Sequence, residues 1–412
     1  MSDGPLGATP ALEPNVPRLS VLMPCWNAAT TVERALQSVL DERAVPLECV
    51  VIDDGSTDGT VDVVQAVADR DSRIVLLRLP ANAGVSNARN RGLAIARGDW
   101  FAFHDADDRM LPGGVAALMR PTEDPDVLAV VGQRVWSDGE RTWLSRLYDI
   151  PDIRMPGRKS IATHPGLLYY ASATGKAFHR SLLDDLRFEG RVLGDQAWTI
   201  RALLRAGGRI EIVGETVFEW SRPHPDRLVE TITSVARASA TGAAEMATVA
   251  RTVFVDVCAE VDAQIDDEAT RQAIKRAYFE RLLRSDLGGP VRKAIERQDP
   301  ATGELFDALA GFLDAVPGTI LARSPVLITS ILRPPAKGWA TLVRSARGSY
   351  WRMVRQGLRA DPRMAGRIAW RRAVEPAFVF ARLSPPVGPL AASAVLSIAF
   401  FAKRILARRP RS

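Results

Sequence analysis

The sequence predicts an α/β protein: a largely parallel sheet flanked by helices, then a helical region and a basic, amphipathic helical tail. Three observations carry that prediction. Apolar runs of strand length alternate with helix-period segments over residues 18–108, as a chain of strand–helix units requires. Acidic or turn residues follow those runs, and residues 228–321 are amphipathic at helical spacing with no strand-like run or internal repeat.

The first 17 residues are rich in Pro, Gly and Ser, without the basic start and apolar core of a secretory signal. They predict a flexible lead on a chain that stays in the cytosol. Residues 19–23 read as a buried strand, turned by Pro24, Cys25, Trp26 and Asn27. Val32, Ala35, Leu36 and Val39 then recur at helical spacing, with Thr30 or Thr31 as the cap. A second strand over 47–52 ends at Asp53 and Asp54, a helix follows over 58–68, and Ile74 to Arg78 form a third strand. A helix over 85–96 leads to a short strand, 100–103, which runs into Asp105, Ala106, Asp107 and Asp108. In sheets of this kind ligands bind at the carboxyl ends of the strands, where every one of these acidic clusters falls. Residues 127–227 are mixed, with strands at 127–131, 209–213 and 216–220 and helices near Arg180 and over 196–206.

Composition narrows the class. The chain has 412 residues, 47% hydrophobic and 25% charged, which excludes a disordered, fibrous or multi-pass membrane protein and suggests two or three domains. Cys25, Cys49 and Cys258 have no metal-like spacing, so neither a disulfide scaffold nor a zinc site is expected. No glycine-rich loop of the dinucleotide or P-loop type occurs. The net charge of +6 is uneven: from Arg333 onward stand 17 Lys and Arg against Asp361 and Glu375, whereas the rest carries 37 basic and 46 acidic residues.

That tail, 325–412, places Trp339, Leu342, Val343, Ala346, Tyr350, Met353, Val354 and Leu358 on one stripe, with Arg344, Arg352, Arg355 and Arg359 largely off it. The pattern is that of an interfacial helix. An uncharged stretch, 383–402, is interrupted by Pro385, Pro386, Gly388 and Pro389. Its continuous part is about 20 Å long as helix, too short for a hydrocarbon core of about 30 Å. A shallow or re-entrant anchor on an anionic membrane surface is the expected reading, and a basic subdomain packed on the acidic body is its rival; nucleic acid is not the expected partner.

Four blocks carry chemistry: Ser20 to Asn27; Val51 to Thr60, containing Asp53-Asp54-Gly55-Ser56; Asn82 to Asn90, containing Arg89; and Asp105-Ala106-Asp107-Asp108. In order and spacing they resemble the family 2 glycosyltransferases of GT-A fold, a Rossmann-like sheet, over residues 18–227. The resemblance implies a nucleotide-sugar donor with its base near Asp54, supported by Asp53, and its nucleoside lined by Pro24, Trp26, Asn27, Asn82 and Arg89. It implies Asp107 as ligand of a divalent cation, Mg²⁺ or Mn²⁺, with Asp105 on the metal or the ribose. Such hard ions take carboxylate oxygens and fill their other positions from phosphate and water. A carboxylate that accepts a ring N–H suits a uridine or thymidine donor, so a UDP-sugar is favoured.

The family's base is an aspartate at a helix start, usually preceded by glutamate and followed three residues later by an aromatic. Asp195 and Trp198 match, but Gly194 replaces the glutamate. An aspartate that deprotonates the acceptor hydroxyl directly implies inversion at the anomeric carbon. Trp220-Ser221-Arg222-Pro223-His224 resembles the Arg-x-His segment that closes many of these domains, implying Arg222 at the diphosphate and His224 as a further metal ligand. Lys176 is a candidate for an anionic acceptor, Trp198 for the acceptor side, and His104 reads as structural. The expected domains are 18–227 for the GT-A unit, 228–324 for a helical domain and 325–412 for the tail. Together these readings predict a peripheral enzyme on the inner face of the membrane, acting on a cell-envelope polysaccharide, a teichoic-acid-like polymer or a lipid-linked acceptor. A non-catalytic nucleotide-sugar or membrane-binding scaffold and a sugar nucleotidyltransferase are the alternatives.

Overall fold

The computed structural model describes residues 17–144, 146–221, 239–297, 299 and 301–323. The chain divides into two compact units, one of Met1–Val229 with Asp256–Ile274, the other of Glu230–Val255 with Lys275–Ser412.

The first unit holds a mixed sheet in the order β3-β2-β1-β4-β9-β6-β10-β5. Its first half comes from β1 (Leu19–Cys25), β2 (Leu47–Asp53), β3 (Ile74–Arg78) and β4 (Trp100–Phe103), all mutually parallel. β1 and β2 are buried at every residue, which explains their near-continuous apolar character: helices cover both faces. Those helices are α1 (Val32–Leu40), α2 (Thr60–Ala68) and α3 (Val85–Ile95). α1 buries Val32, Ala35, Leu36, Val39 and Leu40, the stripe read from the sequence. α3 lies closest to the sheet because Gly92 has no side chain; a Cβ there would stand 2.7 Å from both Leu22 and Ile52.

The second half is less parallel than expected. It contains β5 (Arg109–Met110), β6 (Ala129–Ser137), β7 (Thr142–Leu144), β8 (Gly157–Lys159), β9 (Lys176–His179) and β10 (Ile210–Ser221), with α4 (Gly114–Met119), α5 (Pro151–Arg154) and α6 (Gly194–Ala206). β9 inserts antiparallel between β4 and β6, and the two strands expected at 209–213 and 216–220 are one bulged strand, β10. The strand order reverses between β2–β1 and β4, which opens a crevice at the carboxyl ends of β1 and β4. Glu260, on α7 (Ala240–Gln264), accepts from Arg201 and Arg205 of α6, each at 3.0 Å, and so braces that helix within the first unit.

The described residues of the second unit are helical. It draws on parts of α7 and α8 (Glu268–Arg281), then on α9 (Gly288–Glu296), α10 (Thr302–Asp314) and α11 (Gly318–Arg323). Phe254, Tyr278, Phe279 and Phe312 form its aromatic centre. Among the described residues no helix is long and apolar enough to cross a membrane. The predicted lead up to residue 16 and the tail 325–412 lie outside the described residues.

Candidate active site

Three loops at the carboxyl edge of the sheet converge, and the backbone stitches them together. After β1, Asn27 takes a left-handed conformation (φ 50°); its amide donates to Ser56 Oγ at 2.9 Å and its Oδ1 accepts from the Thr57 amide at 2.9 Å. The loop after β2 is drawn in further by the Asp54 amide, which donates to the Cys25 carbonyl. Gly55 (φ +72°) lets the third loop approach, since a Cβ there would stand 2.7 Å from the Asn82 amide nitrogen.

Asp53 and Asp54 are both buried but differently occupied. Asp54 accepts from the Ala83 and Gly84 amides, at 3.0 and 2.7 Å on separate oxygens. Asp53 accepts only long bonds of 3.3 Å from the Ser56 amide, which leaves more of its acceptor capacity open. Trp26 is half exposed at 54%, and Asn27 and Asn82 are also exposed. Pro24 is buried within β1. Burial, with the charges of Asp53, Asp58 and Asp54, pushes the Cys25 thiol up to about 12, so it remains a neutral packing group.

The acidic loop after β4 has three carboxylates in three environments. Asp105 accepts from Arg89 Nη2 at 2.9 Å. The buried Arg89 guanidinium also lies over the rings of Phe188 and Phe103, at 5.4 and 5.9 Å from their centres. Asp107 is exposed, and no other described residue donates to its carboxylate. Desolvation there, and then the neighbouring Asp105 charge, raise its carboxyl to about 6. Asp108 is buried; burial followed by the charges of Asp105 and Asp107 raises it well above the usual range, and it accepts from the Ser221 amide at 2.9 Å. His104 is buried and held neutral, its imidazole pushed down to about 4 by desolvation, as a structural histidine would be.

Among the described residues no three His, Cys, Asp or Glu groups converge as a complete cage. Asp105 and Asp107 are the residues that could hold a hard divalent ion, which needs only one or two carboxylates when phosphate and water fill its other positions. The donor chemistry fits such an ion: adjacent like charges, with the Asp107 carboxylate taking no side-chain hydrogen bond from a described residue and the Arg34 charge only partly offsetting it. Arg222 and His224 lie outside the described residues.

Asp195 stands in the first turn of α6, where the helix dipole favours its ionised form. The two acceptor-side candidates sit elsewhere than expected. Lys176 is wholly buried: its Nζ donates to the Ser172 carbonyl at 2.8 Å and lies 3.3 Å from the centre of the Tyr170 ring. Trp198 is 1% exposed, stacked on Phe188 at 4.6 Å and met edge-on by Phe103 and Phe178. Trp198 is a packing group, the i+3 position from Asp195 turned inward, whereas the buried Lys176 ammonium lies within reach of the Asp195 charge.

Other residues that build the site have no role assigned to them in the sequence reading. Arg34 on α1 donates to the Asp107 carbonyl at 2.9 Å and to Ser221 Oγ at 3.3 Å. Ser86 and Asn90, one turn apart on α3, hold the 188–190 segment that leads into α6. Their i, i+4 spacing inside the third motif was the available signal for that pair. Arg34 carried none.

Residues 20–187 match the sequence profile described as Glycosyl transferase family 2. Over those residues the chain is similar to the family 2 glycosyltransferases. Among curated relatives, the succinoglycan biosynthesis protein ExoO of Rhizobium meliloti is 33% identical over 149 residues, covering 34% of this chain and 42% of its own. The uncharacterized glycosyltransferase YibD of Escherichia coli is 35% identical over 130 residues, covering 31% of this chain and 38% of its own. This chain thus spans less than half the length of these relatives. Staphylococcus aureus TarS 1–349 superposes with a TM-score of 0.61 at 20% identity, over 83% of this chain and 91% of that one. The matched residues therefore have the GT-A arrangement, and the likeness in fold runs past them.

Proposed function

We propose that the chain transfers a sugar from a nucleotide-diphosphate sugar to a hydroxyl of an envelope polysaccharide or lipid-linked acceptor, with inversion. The observation that carries this reading is the convergence of three of its motifs, 24–27, 53–58 and 82–90, beside the 105–108 loop at the switch point of the sheet. TarS is known in complex with UDP-GlcNAc, which supports a UDP-sugar donor here.

In this reading Asp53, Asp54 and Asn82 receive the base, with Trp26 and Asn27 beside the nucleoside. Asp53 has the spare lone pairs that a ring N–H requires. Arg89 orients Asp105 and offsets its charge, so that Asp105 and Asp107 can both face one divalent ion. Bound there, that ion would neutralise the diphosphate and ease departure of the nucleotide. Arg222 and His224 are assigned to the diphosphate and the metal by their motif. Asp195 accepts the proton from the acceptor hydroxyl as its oxygen attacks the anomeric carbon from the face opposite the leaving group. The cationic tail holds the enzyme at an anionic membrane surface on the cytoplasmic side.

Glycine at 194 weakens the scaffold alternative. A Cβ at this position would press into the Glu189 carbonyl and stand 2.9 Å from Ser86 Oγ, so glycine suits a closely packed helix start and is no sign of decay.

The test is a thermal-shift titration of the full chain with UDP, dTDP and GDP, with and without Mn²⁺, on wild type and Asp107→Asn. At 100-fold saturation one ligand should add about 2.7 kcal/mol. Metal-dependent stabilisation by one nucleotide, lost in the variant, is expected. A folded protein that responds to none of the three overturns the reading.

A further inference from the structure

Three tryptophans occupy one register position on three neighbouring strands. Trp220 of β10 pairs with Trp136 of β6, and Trp136 pairs with Trp143 of β7. Register partners point to the same face of a sheet, so the indoles form a row across it. Trp136 and Trp220 lie nearly parallel, with centres 4.3 Å apart and planes 16° from each other. Both are partly exposed, Trp143 is 38% exposed and its neighbour Leu144 58%. A row of indoles left partly in water is costly unless it meets a ligand.

The row adjoins the candidate active site. Ser221, next after Trp220, is the residue whose amide Asp108 holds at 2.9 Å and whose hydroxyl Arg34 reaches from its bond to the Asp107 carbonyl. The platform therefore begins one residue from the acidic loop, on the side of the sheet away from β2 and β3, where the nucleoside is assigned.

We propose that Trp220, Trp136 and Trp143 form a subsite for the acceptor, and that the acceptor is a saccharide of pyranose rings. This rests on the transferase reading and narrows it. A pyranose presents an apolar C–H face and a hydroxyl rim, so it stacks on an indole and keeps its polar edge wet. Three indoles in a row suit successive rings of a chain. A polyol-phosphate chain has no ring face and would need free cations. Two described cations beside the row, Arg134 and Lys176, are already committed: Arg134 lies 4.4 Å from the Trp220 ring centre and 4.7 Å from that of Tyr170 and donates to Ser172 Oγ at 2.8 Å, and Lys176 Nζ lies 3.3 Å from the Tyr170 ring centre and donates to the Ser172 carbonyl.

The experiment measures binding of cellotetraose, mannotetraose, chitotetraose and a glycerol-phosphate tetramer to the full chain by saturation-transfer NMR, alongside UDP and GDP. Variants are Trp143→Ala, Trp143→Phe and Trp220→Phe; Trp143 is exposed enough that its removal leaves the core intact. At least one tetrasaccharide should bind, weaken about tenfold or more in Trp143→Ala and recover largely in Trp143→Phe, with nucleotide affinity unchanged. Nucleotide binding without binding of any tetrasaccharide overturns the proposal. So does saccharide binding indifferent to all three variants, a Trp143-dependent glycerol-phosphate tetramer, or loss of nucleotide binding in Trp143→Ala. Trp143-dependent saccharide binding in a chain that takes no nucleotide would retain the platform and discard the donor reading.

Discussion

Asn90 and Phe188 exchange a pair of hydrogen bonds, Asn90 Nδ2 to the Phe188 carbonyl at 2.8 Å and the Phe188 amide to Asn90 Oδ1 at 2.9 Å. Ser86, one turn earlier, donates to the Gly190 carbonyl at 2.7 Å. α3 also carries Arg89, which holds Asp105. One helix thus aligns the acidic loop with the segment that delivers Asp195.

Asn90→Ala removes both bonds to Phe188. Each is worth about 1 kcal/mol, so stability to urea should fall by roughly 1–3 kcal/mol. The assigned roles predict a drop in kcat of about tenfold with a far smaller change in nucleotide affinity, because the segment before Asp195 loosens while the base-binding loops do not. Equal losses in kcat and nucleotide affinity would make Asn90 a general packing residue.

At Gly194 even one methyl group meets the Glu189 carbonyl. Gly194→Ala should destabilise by about 1–3 kcal/mol through overpacking. Gly194→Glu, which restores the family's usual residue, should lower transfer further. Thermal unfolding and initial rates of both variants check this. A more active Gly194→Glu would show that the 187–193 segment yields readily.

The buried His104 predicts an acid-sensitive fold. Its imidazole titrates near 4 in the native chain against 6.5 when unconstrained. Below 6.5 the unfolded chain therefore binds a proton that the native one refuses. Stability should decline as pH falls from about 6.5 to about 4, by up to roughly 3 kcal/mol from this group. Denaturant titrations across that window should show a shallower slope in His104→Gln.

Arg89→Ala strands Asp105 beside Asp107 and Asp108 and opens a void between Phe103 and Phe188. The cost should be roughly 2 kcal/mol, below the range of about 3–5 kcal/mol for a fully buried pair, because the Asp105 side chain is 35% exposed. Arg89→Lys should recover part of the stability but less of the nucleotide affinity, since an ammonium lacks the planar fork. Calorimetric unfolding and nucleotide titration separate the two effects.

Legible in the sequence alone are three strand–helix units with a fourth strand, the acidic clusters at the strand ends and the four ordered motifs that resemble a family 2 domain. These are local signals. Apolar period, turn residues and motif spacing are all written within about twenty consecutive residues, so they can be read before any packing is known. The sequence also placed Asp195 at a helix start and His104 within a strand end. Features that depend on register and burial between distant segments are set by packing of the whole fold. Lys176 and Trp198 lie in the core because β9 inserts between β4 and β6 and α6 turns inward. Gly194 is constrained by a carbonyl five residues away that Ser86 and Asn90 pin in place. The tryptophans at 136, 143 and 220 form a row only because β6, β7 and β10 pair in one register. Strand register is set by the whole sheet's buried faces and not by any one strand, so no single stretch of sequence records it.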